Sequence, residues 1–170
     1  LEKDMTPQNL ADVIAYLNST KLPRKTFPGN EPAVVVADAL RGDYFLTPQL
    51  AEIYGSTLKF ESKYKNLGYW QSENDRAVWT LDVPQAGPYD VYLEFACPPG
   101  PAGNRLLLET GEEQLFWTVP STGTWDVYQN RRIGTITLPA GKPRLTVHSQ
   151  GKINSALLDL KTVRLRVSSR

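Results

Sequence analysis

The 170-residue chain is poor in the side chains that most often carry chemistry, with one cysteine, Cys97, and one histidine, His148. A single cysteine cannot form a disulfide within the chain. One thiol and one imidazole far apart in sequence are also a poor basis for a zinc site or a catalytic dyad. The motifs GxSxG, HExxH, GxxxxGK[ST] and GxGxxG are absent as well. These absences argue against the common hydrolase, metalloprotease and nucleotide-binding sites.

Charge of one sign and long hydrophobic runs are scarce too. The 19 lysines and arginines nearly balance the 18 acidic residues, and they are scattered along the chain. A nucleic-acid-binding protein usually shows a basic stripe, which is missing here. No apolar run approaches the roughly 20 residues that a membrane helix needs. We therefore expect neither a nucleic-acid partner nor a membrane span. The chain opens on the polar LEKDMTPQ, which predicts a piece of a longer protein.

What is present begins with a helical pattern. Thr6 suits a helix cap and Pro7 the first helical position. Apolar residues then repeat at helical spacing, at Leu10, Val13, Ile14 and Leu17. The proline-rich KLPRKTFPGNEP that follows is typical of a stiff connector. We therefore predict that residues 1–32 form a helix and linker at the tail of a preceding domain.

From about Ala33 the apolar residues alternate instead, and turn sequences such as QAGP, PPGPAGN and PAGK separate short segments. Many short strands at this spacing predict an all-β antiparallel sandwich over residues 33–170. A phase slip in the last strand predicts a bulge near Lys161–Thr162. The apolar phase places Cys97 and Trp79 in the core, and His148 is expected on the surface. Alternation cannot choose a face for Trp117 within LFWTV, and the core is favoured for it.

The ordered segments AEIYG (51–55), NLGYW (66–70), TGTWDVY (122–128) and LLDL (157–160) resemble carbohydrate-binding modules of the family 6 and 35 type. The resemblance covers roughly residues 49–167. It implies a jelly-roll β-sandwich of the kind often appended to glycan-processing enzymes.

The resemblance also implies a ligand site in which aromatic rings stack on the apolar faces of sugars. It assigns Tyr69, Trp125 and an asparagine, here Asn154, to that site. Two alternatives stay open for Tyr69 and Trp125, which either display their rings or plug an end of the sandwich. Trp70 either covers the sandwich end or extends the ligand surface. In the family the asparagine lies two residues before the last-strand aspartate, where this chain has Leu157.

Two further implications concern cofactors. Members of the family commonly hold a structural calcium, and Glu52 and Asp159 match its carboxylate positions. Leu50 stands where a second early acidic ligand would be. The segment EKDMTPQNLADVIAYL (2–17) resembles the closing helix of a cytochrome c-type domain. The haem-attaching CxxCH motif is absent, so we expect no covalently bound haem by that route.

A glycosidase needs two carboxylates about 5–10 Å apart in a cleft. The loop residues Glu61, Glu73, Asp75 and Asp126 are candidates, but carboxylates on a sandwich are usually solvated surface groups. We therefore expect a non-catalytic carbohydrate-binding-like module within a larger periplasmic or extracellular protein, with a polysaccharide or oligosaccharide as partner. The alternative is a structural spacer next to a haem-bearing domain, which contacts neighbouring domains of the same chain and has no sugar ligand.

Overall fold

The computed structural model describes residues 22–169, which form an antiparallel β-sandwich of two sheets. The predicted all-β sandwich is thereby confirmed, and these residues contain no α-helix. The predicted helix over residues 1–18 and the cytochrome-like segment lie outside the described residues. The strands, in chain order, are β1 (Arg24–Lys25), β2 (Tyr44–Leu46), β3 (Glu52–Tyr54), β4 (Lys59–Glu61), β5 (Asn66–Gly68), β6 (Arg76–Thr80), β7 (Gly87–Ala96), β8 (Arg105–Thr110), β9 (Glu113–Thr118), β10 (Gln129–Leu138), β11 (Arg144–Ser149) and β12 (Asp159–Val167).

The two sheets differ in their strand order. The first sheet has the strand order β1-β3-β6-β11-β8-β9, and the second has β10-β7-β12-β5-β4. In the second sheet the last strand, β12, lies against β7 on one side. On its other side β12 pairs with β5 at Leu160 and with β2 at Val163–Leu165. The last strand therefore lies inside the second sheet, between β7 and the early strands β2 and β5.

The core follows from the alternation of apolar residues, because successive side chains in a strand point to opposite faces. Trp79, Phe95 and Cys97 are buried, as the apolar phase predicts. Trp117 is half-buried, and its ring packs edge-on against Phe95 with the ring centroids 5.0 Å apart. His148 differs from the expectation of a free surface imidazole, because its Nε2 lies 2.9 Å from Glu109 Oε1 and the residue is half-buried.

The predicted bulge in the last strand is confirmed. The pairing of β12 with β7 shifts register between Leu160 and Thr162, so Lys161 is the extra residue. Such a bulge changes which face the following side chains reach. It keeps Leu160 and Val163 buried although they are three positions apart, a spacing that puts side chains of a regular strand on opposite faces.

The sandwich begins earlier than the predicted boundary at residue 33. Strand β1 pairs with β3 through Arg24 and Lys25, within the segment expected to be a connector. Asn30 is 8% exposed, and its Nδ2 donates hydrogen bonds to the carbonyls of Pro48, at 3.1 Å, and Ala51, at 2.8 Å. The proline content predicted a linker, but part of this segment pairs with the edge of β3 through backbone hydrogen bonds.

Candidate functional site

A pocket of about 670 Å³ lies on the outer face of the second sheet, beside the β4–β5 hairpin and under the loop that joins β9 to β10. Phe60, Leu67 and Leu160 are buried in the core. Their strand neighbours therefore point outward, and Glu61, Asn66 and Asp159 line the pocket. Aromatic side chains complete the wall, namely Tyr64, Tyr69, Trp125 and Tyr128.

The stretch NLGYW divides its two rings between the pocket and the core. Tyr69 has a backbone φ of 57°, a left-handed conformation that non-glycine residues seldom adopt. Its side chain is 53% exposed and lines the pocket. Trp70 is fully buried, and its Nε1 donates to the carbonyl of Asp75 at 3.3 Å. Trp70 was a candidate ligand-binding residue, and the structure corrects this, because a ring enclosed by the core cannot stack on a ligand.

Trp125 lies in the loop between β9 and β10 and is 38% exposed. The loop is anchored by Thr122, whose amide donates to the Cys97 carbonyl at 2.7 Å and whose hydroxyl accepts from the Cys97 amide at 2.9 Å. These two hydrogen bonds to Cys97, the residue after β7, hold the loop over the second sheet. Trp125 and Tyr69 consequently line one pocket, although their positions in the sequence are 56 apart.

Asn154 does not reach the pocket. Its side chain is exposed, while its backbone is held by Asn104, which accepts from the Asn154 amide at 2.8 Å. Asp159, at the start of β12, supplies a polar side chain to the pocket. From the sequence, this carboxylate was expected to bind metal.

Three carboxylates line the pocket, from Glu61, Asp126 and Asp159. A Cβ built on Gly68 would touch Glu61 Oε1 and lie 3.0 Å from Asp159 Oδ1, so these two oxygens approach the same point above the sheet. Burial raises the pKa of the Asp159 carboxyl to about 7, and the charges of Glu61 and Asp126 add to the effect. Asp159 therefore holds a proton in part of the molecules at neutral pH.

Lysine side chains lie over several of the aromatic rings. The Nζ of Lys161 is 3.9 Å from the ring centroid of Tyr128, and that of Lys63 is 5.1 Å from Tyr64. Burial and the nearby carboxylates raise the pKa of the Tyr128 phenol, so it stays protonated. Sequence reasoning missed Tyr128, although it ends the segment TGTWDVY in which Trp125 was recognised.

The two residues predicted to hold calcium line different pockets. Glu52, in β3 of the first sheet, lies 2.7 Å from Arg144 Nη1 and accepts a hydrogen bond from the Tyr54 hydroxyl at 3.1 Å. The carboxylate oxygens of Glu52 therefore already have two polar partners. Asp159 belongs to the pocket on the second sheet. Calcium needs six to eight oxygen ligands, and residues 22–169 contain no group of three or more His, Cys, Asp or Glu placed to hold a metal ion. The Glu52–Asp159 pair therefore does not fit a shared calcium ion.

Of the loop acids considered for glycoside chemistry, Asp75 has a structural role. It is fully buried, and its Oδ1 accepts from the Thr57 amide at 2.8 Å while its Oδ2 accepts from the Ser72 amide at 3.0 Å. Glu73 is exposed and does not line the pocket. Only Glu61 and Asp126 of the four candidates contribute to the pocket.

Comparison with known proteins gives one curated relative to report and several similar structures. The β-agarase AgaA of Microbulbifer thermotolerans is 32% identical over 108 residues. The match covers 63% of this chain but only 23% of the agarase, so the chain spans about a quarter of that enzyme's length. No protein-family profile matches the chain.

The similar structures include carbohydrate-binding modules. The C-terminal family 6 module of the laminarinase LamC from Zobellia galactanivorans has a TM-score of 0.59 and 20% identity, covering 73% of this chain and 98% of the module. The family 6 module of Cellvibrio mixtus lichenase 5A, solved with cellotriose, has a TM-score of 0.56 and 18% identity, covering 74% and 97%. The family 35 module of Cellvibrio japonicus Abf62 has a TM-score of 0.57 and 15% identity, covering 80% and 94%.

At these identities the likeness shows a common fold. The matches concern the sandwich and give no support to the cytochrome c likeness of residues 2–17. Among the described residues, no helix is both long and apolar enough to cross a membrane.

Proposed function

We propose that this chain is a non-catalytic carbohydrate-binding module, and that it binds a glycan in the pocket lined by Tyr69 and Trp125. The observation that carries the proposal is the meeting of these two exposed rings with three carboxylates in one pocket. Indole and phenol rings offer flat apolar surfaces for sugar rings, and carboxylates accept hydrogen bonds from sugar hydroxyls. Strands β4 and β12 place Glu61 and Asp159, and the loop that Thr122 anchors places Trp125 and Asp126.

The comparisons support the proposal in a limited way. The similar structures include modules of glycan-degrading enzymes, one of them in complex with cellotriose. The curated relative is an agarase of which this chain covers only a part. By analogy, the chain is one module of a larger exported protein, periplasmic or extracellular, with neighbouring domains of the same chain as further partners.

The test is calorimetric titration of the chain with agarose, laminarin and cello-oligosaccharides, followed by the same titrations on Trp125→Ala. Stacking adds about 0.5–1.5 kcal/mol beyond the apolar area that a ring buries. We therefore expect Trp125→Ala to weaken binding by about tenfold or more, which corresponds to about 1.4 kcal/mol.

Phe116→Ala is the matched control, because Phe116 is 39% exposed against 38% for Trp125 but lies in β9 of the first sheet. It should bind like the unchanged chain. Full glycan affinity in a folded Trp125→Ala variant would contradict the stacking mechanism. If no glycan binds to the unchanged chain, the spacer alternative is favoured.

A further inference from the structure

The polar groups at the base of the pocket are matched to a ligand that donates hydrogen bonds. Glu61 Oε1 and Asp159 Oδ1 converge beside Gly68. Asn66 is 1% exposed and lines the pocket, and its Nδ2 donates to Glu61 Oε1 at 3.0 Å. Its Oδ1 has no hydrogen-bond partner among the described residues. A buried carbonyl oxygen without a donor is uncommon in folded proteins. The base of the pocket therefore has an excess of acceptors.

The carboxylates of the pocket form no ion pair with a residue of the described part of the chain. Among residues 22–169, no lysine or arginine nitrogen lies within ion-pair distance of Glu61, Asp126 or Asp159. Lys63 and Lys161 line the same pocket, but their ammonium groups lie over the rings of Tyr64 and Tyr128. Burial is the main cause of the raised pKa of the Asp159 carboxyl, and the charges of Glu61 and Asp126 add to it. A positive charge on a ligand would supply the missing partner.

The aromatic walls favour the same ligand. Cations are attracted to the faces of tyrosine and tryptophan rings within about 6 Å. Tyr64, Tyr69 and Tyr128 each have a lysine ammonium over the ring. Among the described residues, no lysine or arginine lies over Trp125, whose exposed ring is open to a ligand. A ligand with both a sugar face and an ammonium group could use this ring and the carboxylates together.

We propose that the pocket selects a glycan with a protonated primary amine, such as a 2-amino-2-deoxyhexose unit, whose ammonium lies beside Glu61 and Asp159 while its ring stacks on Trp125. An ammonium offers three hydrogen-bond donors and no acceptor, which matches an acceptor-rich base. A uronate or sulfate would instead face three carboxylates, and no arginine lines the pocket to bind it in a bidentate manner. This inference rests on the proposed function and adds the class of glycan to it.

The test compares three β-1,4-linked trimers of the same shape, made of glucosamine, glucose or N-acetylglucosamine, with agarose as a separate neutral glycan. Calorimetric titration at pH 6.5 should give the glucosamine trimer an affinity at least tenfold higher than that of the glucose or the N-acetylated trimer. The preference should shrink at 0.5 M NaCl, because salt screens interactions between charges.

Two variants locate the preference. Glu61→Gln and Asp159→Asn should bring the glucosamine and glucose trimers to within about threefold of each other. Glu73→Gln, which changes an exposed carboxylate outside the pocket, should leave the preference unchanged. Equal affinity for the three trimers, or binding of agarose without binding of the glucosamine trimer, would overturn the amine inference and leave the proposed function in place. Failure of every glycan to bind would overturn both.

Discussion

Replacing Asp159 by asparagine should make the protein more stable at pH 8, because the change removes a charge that burial disfavours in the folded state. The carboxyl has its pKa raised from 3.8 to about 7, chiefly by burial and then by the charges of Glu61 and Asp126. Its charged form is thus disfavoured in the folded state. An asparagine amide of similar size carries no charge and avoids this cost.

The sign and size follow from proton linkage. Between pH 4 and pH 7 the folded protein keeps a proton on Asp159 that the unfolded chain has lost, so the stability of the unchanged protein falls as the pH rises. Each tenfold change in proton affinity is worth about 1.4 kcal/mol, and the full difference would be about 4 kcal/mol. Because the carboxyl opens onto a solvent-filled pocket, screening reduces the expected gain from Asp159→Asn to about 1–2 kcal/mol at pH 8.

Urea denaturation at pH 4, 6 and 8 measures this gain directly. We expect the two proteins to differ little at pH 4 and the variant to become the more stable one as the pH rises. In a separate thermal unfolding experiment at pH 8, the midpoint of the variant should be about 3–6 °C higher. Glu73→Gln is the control for loss of an exposed acid and should show no such trend. A gain that is constant across the three pH values, or a variant less stable at pH 8, would refute the assignment of a strained charge to Asp159.

Two further substitutions separate binding from folding. Gly68→Ala should weaken glycan binding at least tenfold and cost about 1 kcal/mol of stability or less, because the added Cβ would displace the flexible Glu61 carboxylate. Calorimetry measures the affinity and urea denaturation the stability, and unchanged affinity would count against Glu61 as a ligand contact. Arg164→Ala should destabilise the fold by about 3 kcal/mol, because Asp43 is 2% exposed and its Oδ2 accepts from Arg164 Nε at 2.9 Å. Urea denaturation measures the loss of stability against Arg166→Ala, which removes an exposed arginine, and equal stability of the two variants would contradict the prediction.

Most of the sandwich could be predicted from sequence because strand alternation is a local property. The run from Tyr89 to Cys97 and the phase slip near Lys161 both report which side chains face the core, and β7 and the bulge follow from them. The start of the sandwich could not be predicted in this way. Strand β1 has two residues, too few for alternation, and it exists because β3 offers an edge to pair with.

The site was predictable in its rings and much less so in its polar groups. Tyr69 and Trp125 were recognised because their segments have a distinctive local sequence. The role of Asp159 depends on Glu61 and Asp126, which are distant in sequence and meet it only in the folded chain. The fate of Trp70 likewise depends on the left-handed backbone at Tyr69, which turns two adjacent aromatic residues to opposite environments.

Three locally unfavourable features coincide in this one pocket. Tyr69 has a left-handed backbone, Asp159 is a half-buried acid without an ion-pair partner among the described residues, and Asn66 has a buried oxygen without a donor. Features of this kind each cost stability and persist where the surrounding structure holds them in place. The three features have different physical origins, so the packing of the sandwich alone does not explain why they occur together. A ligand that donates hydrogen bonds, carries positive charge and presents a flat face would relieve the two polar costs and use the displayed ring, which is why binding accounts for the pocket better than a spacer does.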